Sequence, residues 1–229
     1  AVRAFLPGML KDKVPERATA AAHRWPTREH PRKVLLLMGC VQPTMMPNIN
    51  SATARVLDAA GIQTLVADGA GCCGALRTHL ADTEGGRADM RRNIDAWWPL
   101  VQGLNGAGPV EAIVMNASGC GVMVKDYGHA LARDPAYADK ARRIGELTRD
   151  LSELLPEIVQ KLKPKLALPR SAGKRGGGAP RSAERRMKRY AFHPPCTLQH
   201  GQQLRGGVEA GLRELGFEVE LAGEESHLC

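Results

Sequence analysis

Six cysteines occur in 229 residues: Cys40, Cys72, Cys73, Cys120, Cys196 and Cys229. Four thiolates are the ligand set of an iron–sulfur cluster. Other uses of thiols compete with that one. Structural zinc usually shows Cys-x-x-Cys pairs, and the chain has none. Disulfides suit secreted chains, and the adjacent Cys72-Cys73 do not form an easy ring with each other. Buried, inert cysteines are common where a cysteine stands alone, which a vicinal pair does not. A cluster or redox-thiol site is therefore the leading reading, with zinc, disulfides and inert packing as alternatives. Gly39, Gly71, Gly74, Gly119 and Gly121 flank the thiols. They allow tight turns and close backbone approach to a bulky inorganic core.

Weaker candidates surround the same positions. His193 and His200 flank Cys196, where turn and cap roles compete with cofactor contact. His79 near Cys72-Cys73 and Lys125 near Cys120 are placed to steady cluster charge. Trp97-Trp98, Met45-Met46 and Met123 read as packing residues.

The thiols need elements to bring them together. Val34-Leu35-Leu36-Leu37-Met38 is a short apolar run suited to a buried strand, and it leads to Cys40. A helix carrying Ala52, Val56, Leu57 and Ala60 follows, capped by Asn50 or Ser51 and stopped by Gly61. A strand over 62–67 runs toward Cys72-Cys73. A mainly helical stretch covers 82–104, with Pro99 as a candidate break. A third strand, 110–115, precedes Cys120, and a helix covers about 122–131. Asp134-Pro135 opens a helical region reaching Leu162. Strands alternating with helices predict an α/β fold with a mostly parallel sheet. In such a sheet the loops after the strands share the carboxyl edge, where ligands bind. Cys40, Cys72, Cys73 and Cys120 are expected in one pocket there. Cys120, at a helix start, would have its thiolate favoured by the helix dipole.

The pattern strand–Cys–helix–Gly–strand–Cys occurs twice. Cys196, Gly216 and Cys229 follow Cys40, Gly61 and Cys72 at offsets of 156, 155 and 157. In the second copy Leu204, Val208, Leu212 and Leu215 keep helical spacing. The expected architecture is a tandem repeat of small parallel-sheet domains, with the second copy truncated inside its second cysteine motif. The expected boundaries are a lead-in over 1–30, a first domain over 31–160, a linker over 161–188 and the truncated copy over 189–229.

Charge supports these boundaries. The chain is +8 overall, yet eleven Lys/Arg and one acid, Glu184, lie between Lys161 and Tyr190. The remainder is net −2, so the basicity belongs to one Gly- and Pro-containing segment that reads as a solvated linker. No stable core contact is expected over 163–187. A patch for anionic lipid or an acidic partner is the alternative. Aromatics are only 4%, which argues against base-stacking nucleic-acid modules. No apolar run approaches the ~18 residues of a membrane span.

Cys40-Val41-Gln42-Pro43, Cys72-Cys73-Gly74 and Ser118-Gly119-Cys120-Gly121 resemble the cysteine-rich CCG domain of heterodisulfide reductases and related electron-transfer proteins. Pro47-Asn48-Ile49-Asn50, Arg92-Asn93-Ile94-Asp95-Ala96-Trp97-Trp98-Pro99, Asp134-Pro135-Ala136-Tyr137 and Phe192-His193-Pro194-Pro195-Cys196-Thr197-Leu198-Gln199-His200-Gly201 resemble the glycolate oxidase (glycolate dehydrogenase) iron–sulfur subunit family. The resemblance covers roughly residues 30–160 and 188–229.

It implies a 4Fe-4S-type cluster held by Cys40, Cys72, Cys73, Cys120, Cys196 and Cys229, with no catalytic residue on this chain. It implies an oxidoreductase acting on CH–OH groups, in which a partner flavin (FAD) subunit oxidises glycolate to glyoxylate. This chain would pass the electrons toward quinone or another membrane-associated acceptor, in the cytoplasm or peripherally on the inner membrane. Family members begin with a ferredoxin-like part bearing Cys-x-x-Cys-x-x-Cys-x-x-x-Cys-Pro runs, which this chain lacks; the lead-in would follow such a part. Met123 stands three residues after Cys120, where a heterodisulfide-reductase-type motif has a cysteine. The alternatives are a lactate-utilisation or heterodisulfide-reductase-like redox subunit, and a non-redox interaction module with structural cysteines or zinc.

Overall fold

A computed structural model describes residues 24–104, 106, 108–167 and 189–222. Its centre is a four-stranded parallel sheet of β1 (Arg32–Leu36), β2 (Ile62–Leu65), β3 (Ala112–Met115) and β4 (Thr148–Asp150), in the order β2-β1-β3-β4. β1 pairs with β2 from Arg32↔Ile62 and with β3 from Val34↔Ala112, and β4 extends the sheet beyond β3. β1 and β3 are central because their side chains are apolar on both faces, as a covered parallel sheet requires.

The faces separate cleanly. Leu35, Leu37, Ile113 and Met115 pack with Met90, Ile94, Trp97, Tyr127 and Ile144. Those partners come from α4 (Thr83–Val101), α6 (Tyr127–Ala130) and α7 (Ala138–Leu147). Val34, Leu36, Ala112 and Val114 pack instead with Leu57 of α2 (Asn48–Ala59) and Ile158 of α8 (Leu151–Ala167). Burying one such Leu or Ile contributes about 1.5–3 kcal/mol, and each layer holds several. Three shorter helices, α1 (Gln42–Met45), α3 (Ala75–His79) and α5 (Ser118–Lys125), sit in the loops after β1, β2 and β3.

Several expectations need correction. The helical region from Asp134 to Leu162 is two helices with β4 between them. Three residues, Thr148-Arg149-Asp150, are too few and too polar to show a strand period, yet Thr148 and Asp150 are buried and Arg149 is exposed. Pro99 does not break α4, because it lies in the last turn before the C-cap Gln102. α5 begins at Ser118, so Cys120 lies inside a first turn and not ahead of it.

The first residues given to the linker are helix. α8 runs to Ala167, Leu162 packs on the core, Lys163 pairs with Glu214 at 3.0 Å, and Lys165 Nζ donates to the Ala59 carbonyl. Leu151, Leu154, Ile158 and Leu162 supply the apolar face that carries this basic stretch. The rest of the linker, 168–188, lies outside the described residues. Residues 24–30, given to the lead-in, also pack on the domain. Trp25 joins the core, and Arg28 and His30 both bond Asp58.

The second half contains β5 (Arg189–Phe192), a π-helical turn (Thr197–Gly201), α9 (Gly207–Glu214) and β6 (Glu218–Leu221). β5 and β6 pair in parallel from Arg189↔Glu218. α9 lies on α8 so closely that a β-carbon on Gly211 would stand 2.7 Å from Leu155 Cδ2. Leu204, expected in this helix, precedes it. Among the described residues, no helix is long and apolar enough to cross a membrane.

Candidate functional site

In the order β2-β1-β3-β4 the connections from the parallel neighbours β1 and β3 leave toward opposite edges of the sheet, and the crevice outside their carboxyl ends is where open α/β sheets take ligands. Cys40 follows β1, Cys72 and Cys73 follow β2, and Cys120 follows β3. All four line one cavity of about 1750 Å³ at that edge. The four are free thiols: Cys40 is exposed, Cys72 and Cys120 are half-buried, and Cys73 is buried. Cys196 does not line the cavity, and its sulfur is disulfide-bonded. Cys229 lies outside the described residues.

The thiols meet as two pairs. Cys73 and Cys120 share a hydrogen bond, as do Cys40 and Cys72. Among the described residues, no three Cys, His, Asp or Glu converge tightly enough to hold a single metal ion. The bond to Cys120, then burial, pushes the Cys73 thiol well above the usual range. The same bond holds Cys120 below it. Of this pair Cys73 holds its proton more tightly and Cys120 less tightly than an ordinary cysteine. Cys40, although exposed as a residue, is pushed up first by partial desolvation of its sulfur and then by Cys72 and the nearby thiols.

This ordering predicts a titration. In the cluster-free chain, alkylation of Cys120 should reach half its plateau below the ordinary cysteine value of 9.0, because the thiolate persists to lower pH. Cys40 should reach it above 9.0. Mass spectrometry of each peptide across pH 6–11 reads both; the reverse order would contradict the hydrogen-bond assignment.

Backbone polar groups and three side chains hold the Cys72-Cys73 turn. Asn93 is fully buried. Its Nδ2 donates to the Cys72 carbonyl at 2.7 Å and to Tyr127 Oη at 3.1 Å, and its Oδ1 accepts from Gly71 N–H at 2.8 Å. Tyr127 Oη donates to the Cys73 carbonyl at 2.9 Å, and burial pushes its hydroxyl up, keeping it neutral. Arg92 reaches the Cys72 carbonyl at 3.4 Å and is held by Asp89 at 2.7 Å. Gly74 N–H donates to Cys72 Sγ at 3.5 Å. Gly74 sits at φ +91°, and a β-carbon there would stand 2.8 Å from the Gly86 carbonyl oxygen. Only glycine fits that turn without strain.

Asn50 and Asn116 brace the other loops. Asn116 Nδ2 donates to Asn50 Oδ1 at 2.9 Å, and Asn50 Nδ2 donates to the Met38 carbonyl at 2.9 Å, two residues before Cys40. The beginning of the Cys40 loop is therefore tied to the end of β3. The chemistry of this arrangement follows from its donor set. Four soft sulfur donors, an open side and backbone N–H groups aimed at sulfur fit an iron–sulfur cluster.

Sequence reasoning named the four cavity cysteines and missed the residues that hold them. His79 and Lys125 do line the cavity, but Lys125 is committed to Glu153. His193 and His200 do not line it. Trp97 is core, stacked on Tyr127 at 6.4 Å. Asn93 was detectable in principle. It lies on the same helical face as Met90, Ile94 and Trp97, a polar residue among inward positions.

Residues 34–125 match the family model "CCG: Cysteine-rich domain". The chain is 48% identical over all 229 residues to the glycolate oxidase iron–sulfur subunit of Escherichia coli, covering 50% of that protein. It is 31% identical over 127 residues to a probable glycolate oxidase iron–sulfur subunit of Bacillus subtilis, or 56% of this chain and 27% of that one. It is 25% identical over 128 residues to lactate utilization protein A of Bacillus licheniformis, or 56% and 50%. The chain thus spans half the length of its E. coli relative. Residues 34–125 thus match the cysteine-rich CCG domain model, and the whole chain is similar to glycolate oxidase iron–sulfur subunits.

Proposed function

We propose that this chain belongs to the iron–sulfur electron-transfer subunit of a glycolate dehydrogenase complex. In this reading a partner flavin subunit, carrying FAD, oxidises glycolate to glyoxylate. The present chain accepts the electrons and hands them to an acceptor such as quinone, in the cytoplasm or at the inner-membrane surface. The observation that carries the reading is the gathering of Cys40, Cys72, Cys73 and Cys120 on one cavity at the switch point of the sheet.

Those four thiols would hold an iron–sulfur cluster, taken as the 4Fe-4S type that the family resemblance implies. When bound, such a cluster supplies one-electron storage. The chain's own residues do the rest: Asn93 and Tyr127 fix the Cys72-Cys73 backbone, Asn50 and Asn116 fix the Cys40 loop, and Cys73 and Cys40 release their protons on ligation.

The second half reads as the start of a second copy. Its β5-α9-β6 unit repeats the parallel β1-α2-β2 arrangement, with Arg189↔Glu218 matching Arg32↔Ile62 at nearly the same sequence offset. Cys196 and Cys229 are assigned to that copy as ligands in the reduced protein. A lactate-utilisation redox subunit is the second reading, favoured by the similarity to lactate utilization protein A.

Anaerobic reconstitution with iron and sulfide tests the proposal. A broad absorbance near 400 nm and an EPR signal on reduction are expected. A chain that takes up zinc but no iron would overturn it. Glycolate-dependent dye reduction by the complex with its flavin partner separates the two redox readings; lactate-dependent reduction in its place would favour the second.

A further inference from the structure

The π-helical turn of the second half presses against the helix that carries Cys120. Gln202, the residue after that turn, donates from Nε2 to two acceptors: the Ser118 carbonyl at 3.1 Å and Asp150 Oδ2 at 3.0 Å. Ser118 is in the first turn of α5, two residues before Cys120, and Asp150 ends β4. One amide therefore ties the turn bearing Cys120 to the carboxyl end of the edge strand.

The surroundings are built for that contact. Asp150 is 6% exposed, and its other oxygen is occupied by Ser152 N–H at 2.9 Å and Ser152 Oγ at 2.7 Å. Gly121 leaves room for the amide, since a β-carbon there would stand 2.7 Å from Gln202 Nε2. On the facing side, a β-carbon on Gly201 would stand 2.6 Å from Val122 Cγ2. Ser118 Oγ and Thr197 Oγ1 are 2.6 Å apart.

The turn also carries marks of a constrained position. Gln202 N–H bonds the Thr197 carbonyl at 3.0 Å, across five residues, and Gln203 holds φ +59° without being glycine. Gln202 Oε1 is buried with no hydrogen-bond partner. π-Turns and strained residues persist where surrounding contacts over-determine them, often beside functional sites. The orphaned oxygen shows that the amide is held by its donor end.

We propose that Gln202 is a positioning residue for Cys120. Through Ser118 and Asp150 it fixes the first turn of α5, so the geometry of the four-thiol site depends on the second half of the chain. Gln202 touches no thiol in this role. The effect on iron rests on the cluster reading; the effect on Cys120 itself does not.

The test has two arms and two variants. Gln202→Met keeps the length of the side chain and removes both donated bonds. Asp150→Asn turns an NH₂ toward Gln202 Nε2, because Ser152 claims the remaining acceptor. In the cluster-free chain, each should raise the iodoacetamide alkylation rate of Cys120 about tenfold, the scale expected for losing a hydrogen bond to a charged group. Alkylation of Cys40, on another loop, should stay within twofold. In the reconstitution arm, each should lower iron bound per chain. Circular dichroism confirms which variants are folded. If both are folded and Cys120 reacts at the wild-type rate, the positioning role is wrong. If the wild-type chain takes up no iron while Cys120 alkylation still rises in both variants, the cluster reading fails and the positioning role stands.

Discussion

Replacing Cys73 by serine should reduce bound iron more than about 100-fold in affinity, because even residues that merely orient a metal's ligands cost 10–100-fold when removed. Glycolate-dependent dye reduction by the assembled complex should fall with it. The domain should remain folded. Cys73 is 3% exposed, and serine is smaller by little while its hydroxyl can still donate to Cys120. The layer around it is carried by Leu35, Met90, Ile94, Trp97 and Tyr127. A loss of about 1 kcal/mol is expected from the polar exchange and the small volume change. Iron analysis, the 400 nm band and a thermal melt read the three quantities together. Iron and activity at the wild-type level would remove Cys73 from the ligand set. A collapse of the melt would instead make it a packing residue, as the inert-cysteine alternative holds.

The contrast between what the sequence discloses and what it hides has a physical origin. Cysteines are rare, and their positions after apolar runs point to one sheet edge, so the four thiols could be placed together from type and spacing. Helices α2 and α4 were visible because their apolar residues keep a helical period over many turns. β4 has three residues and no such period; it forms because Thr148 and Asp150 find buried places beside β3. Helix α8 continues through Lys161, Lys163 and Lys165 because the apolar face ending at Leu162 is already docked. Local charge said linker, and tertiary packing overrode it.

The bracing residues were hidden for a different reason. Asn93 meets Gly71 and Cys72 across 21–22 residues and Tyr127 across 34, and Gln202 meets Ser118 across 84. Each bond depends on where the sheet places two distant segments. A hydrogen bond of that kind leaves no local period to read. The stretch 92–99 carries part of the family resemblance, yet the role of Asn93 within it comes only from the backbone groups it satisfies.

Asn93 carries the second large prediction. Replacing it by leucine should destabilise the protein by about 3–5 kcal/mol, since buried polar groups left unpaired cost about 1–3 kcal/mol each. Gly71 N–H loses its acceptor, the Cys72 carbonyl loses its short donor, and Tyr127 Oη loses one of its two bonds. At about 2–4 °C per kcal/mol for a chain of this size, the melting midpoint should drop by about 10 °C. Tyr127→Phe should cost less, because it deletes the hydroxyl and leaves only the Cys73 carbonyl and one Asn93 proton unpaired. The double variant is the informative one. Asn93 and Tyr127 share a bond and brace consecutive carbonyls, so their costs should fall short of additivity by about 0.5–3 kcal/mol. Additive costs would mean that the two side chains act separately and that no common network holds the Cys72-Cys73 turn. Below its midpoint the Asn93→Leu chain should still bind less iron than wild type, because the turn that presents both thiols is loosened while the sheet persists. Equal iron in folded Asn93→Leu and wild-type chains would confine Asn93 to stability alone.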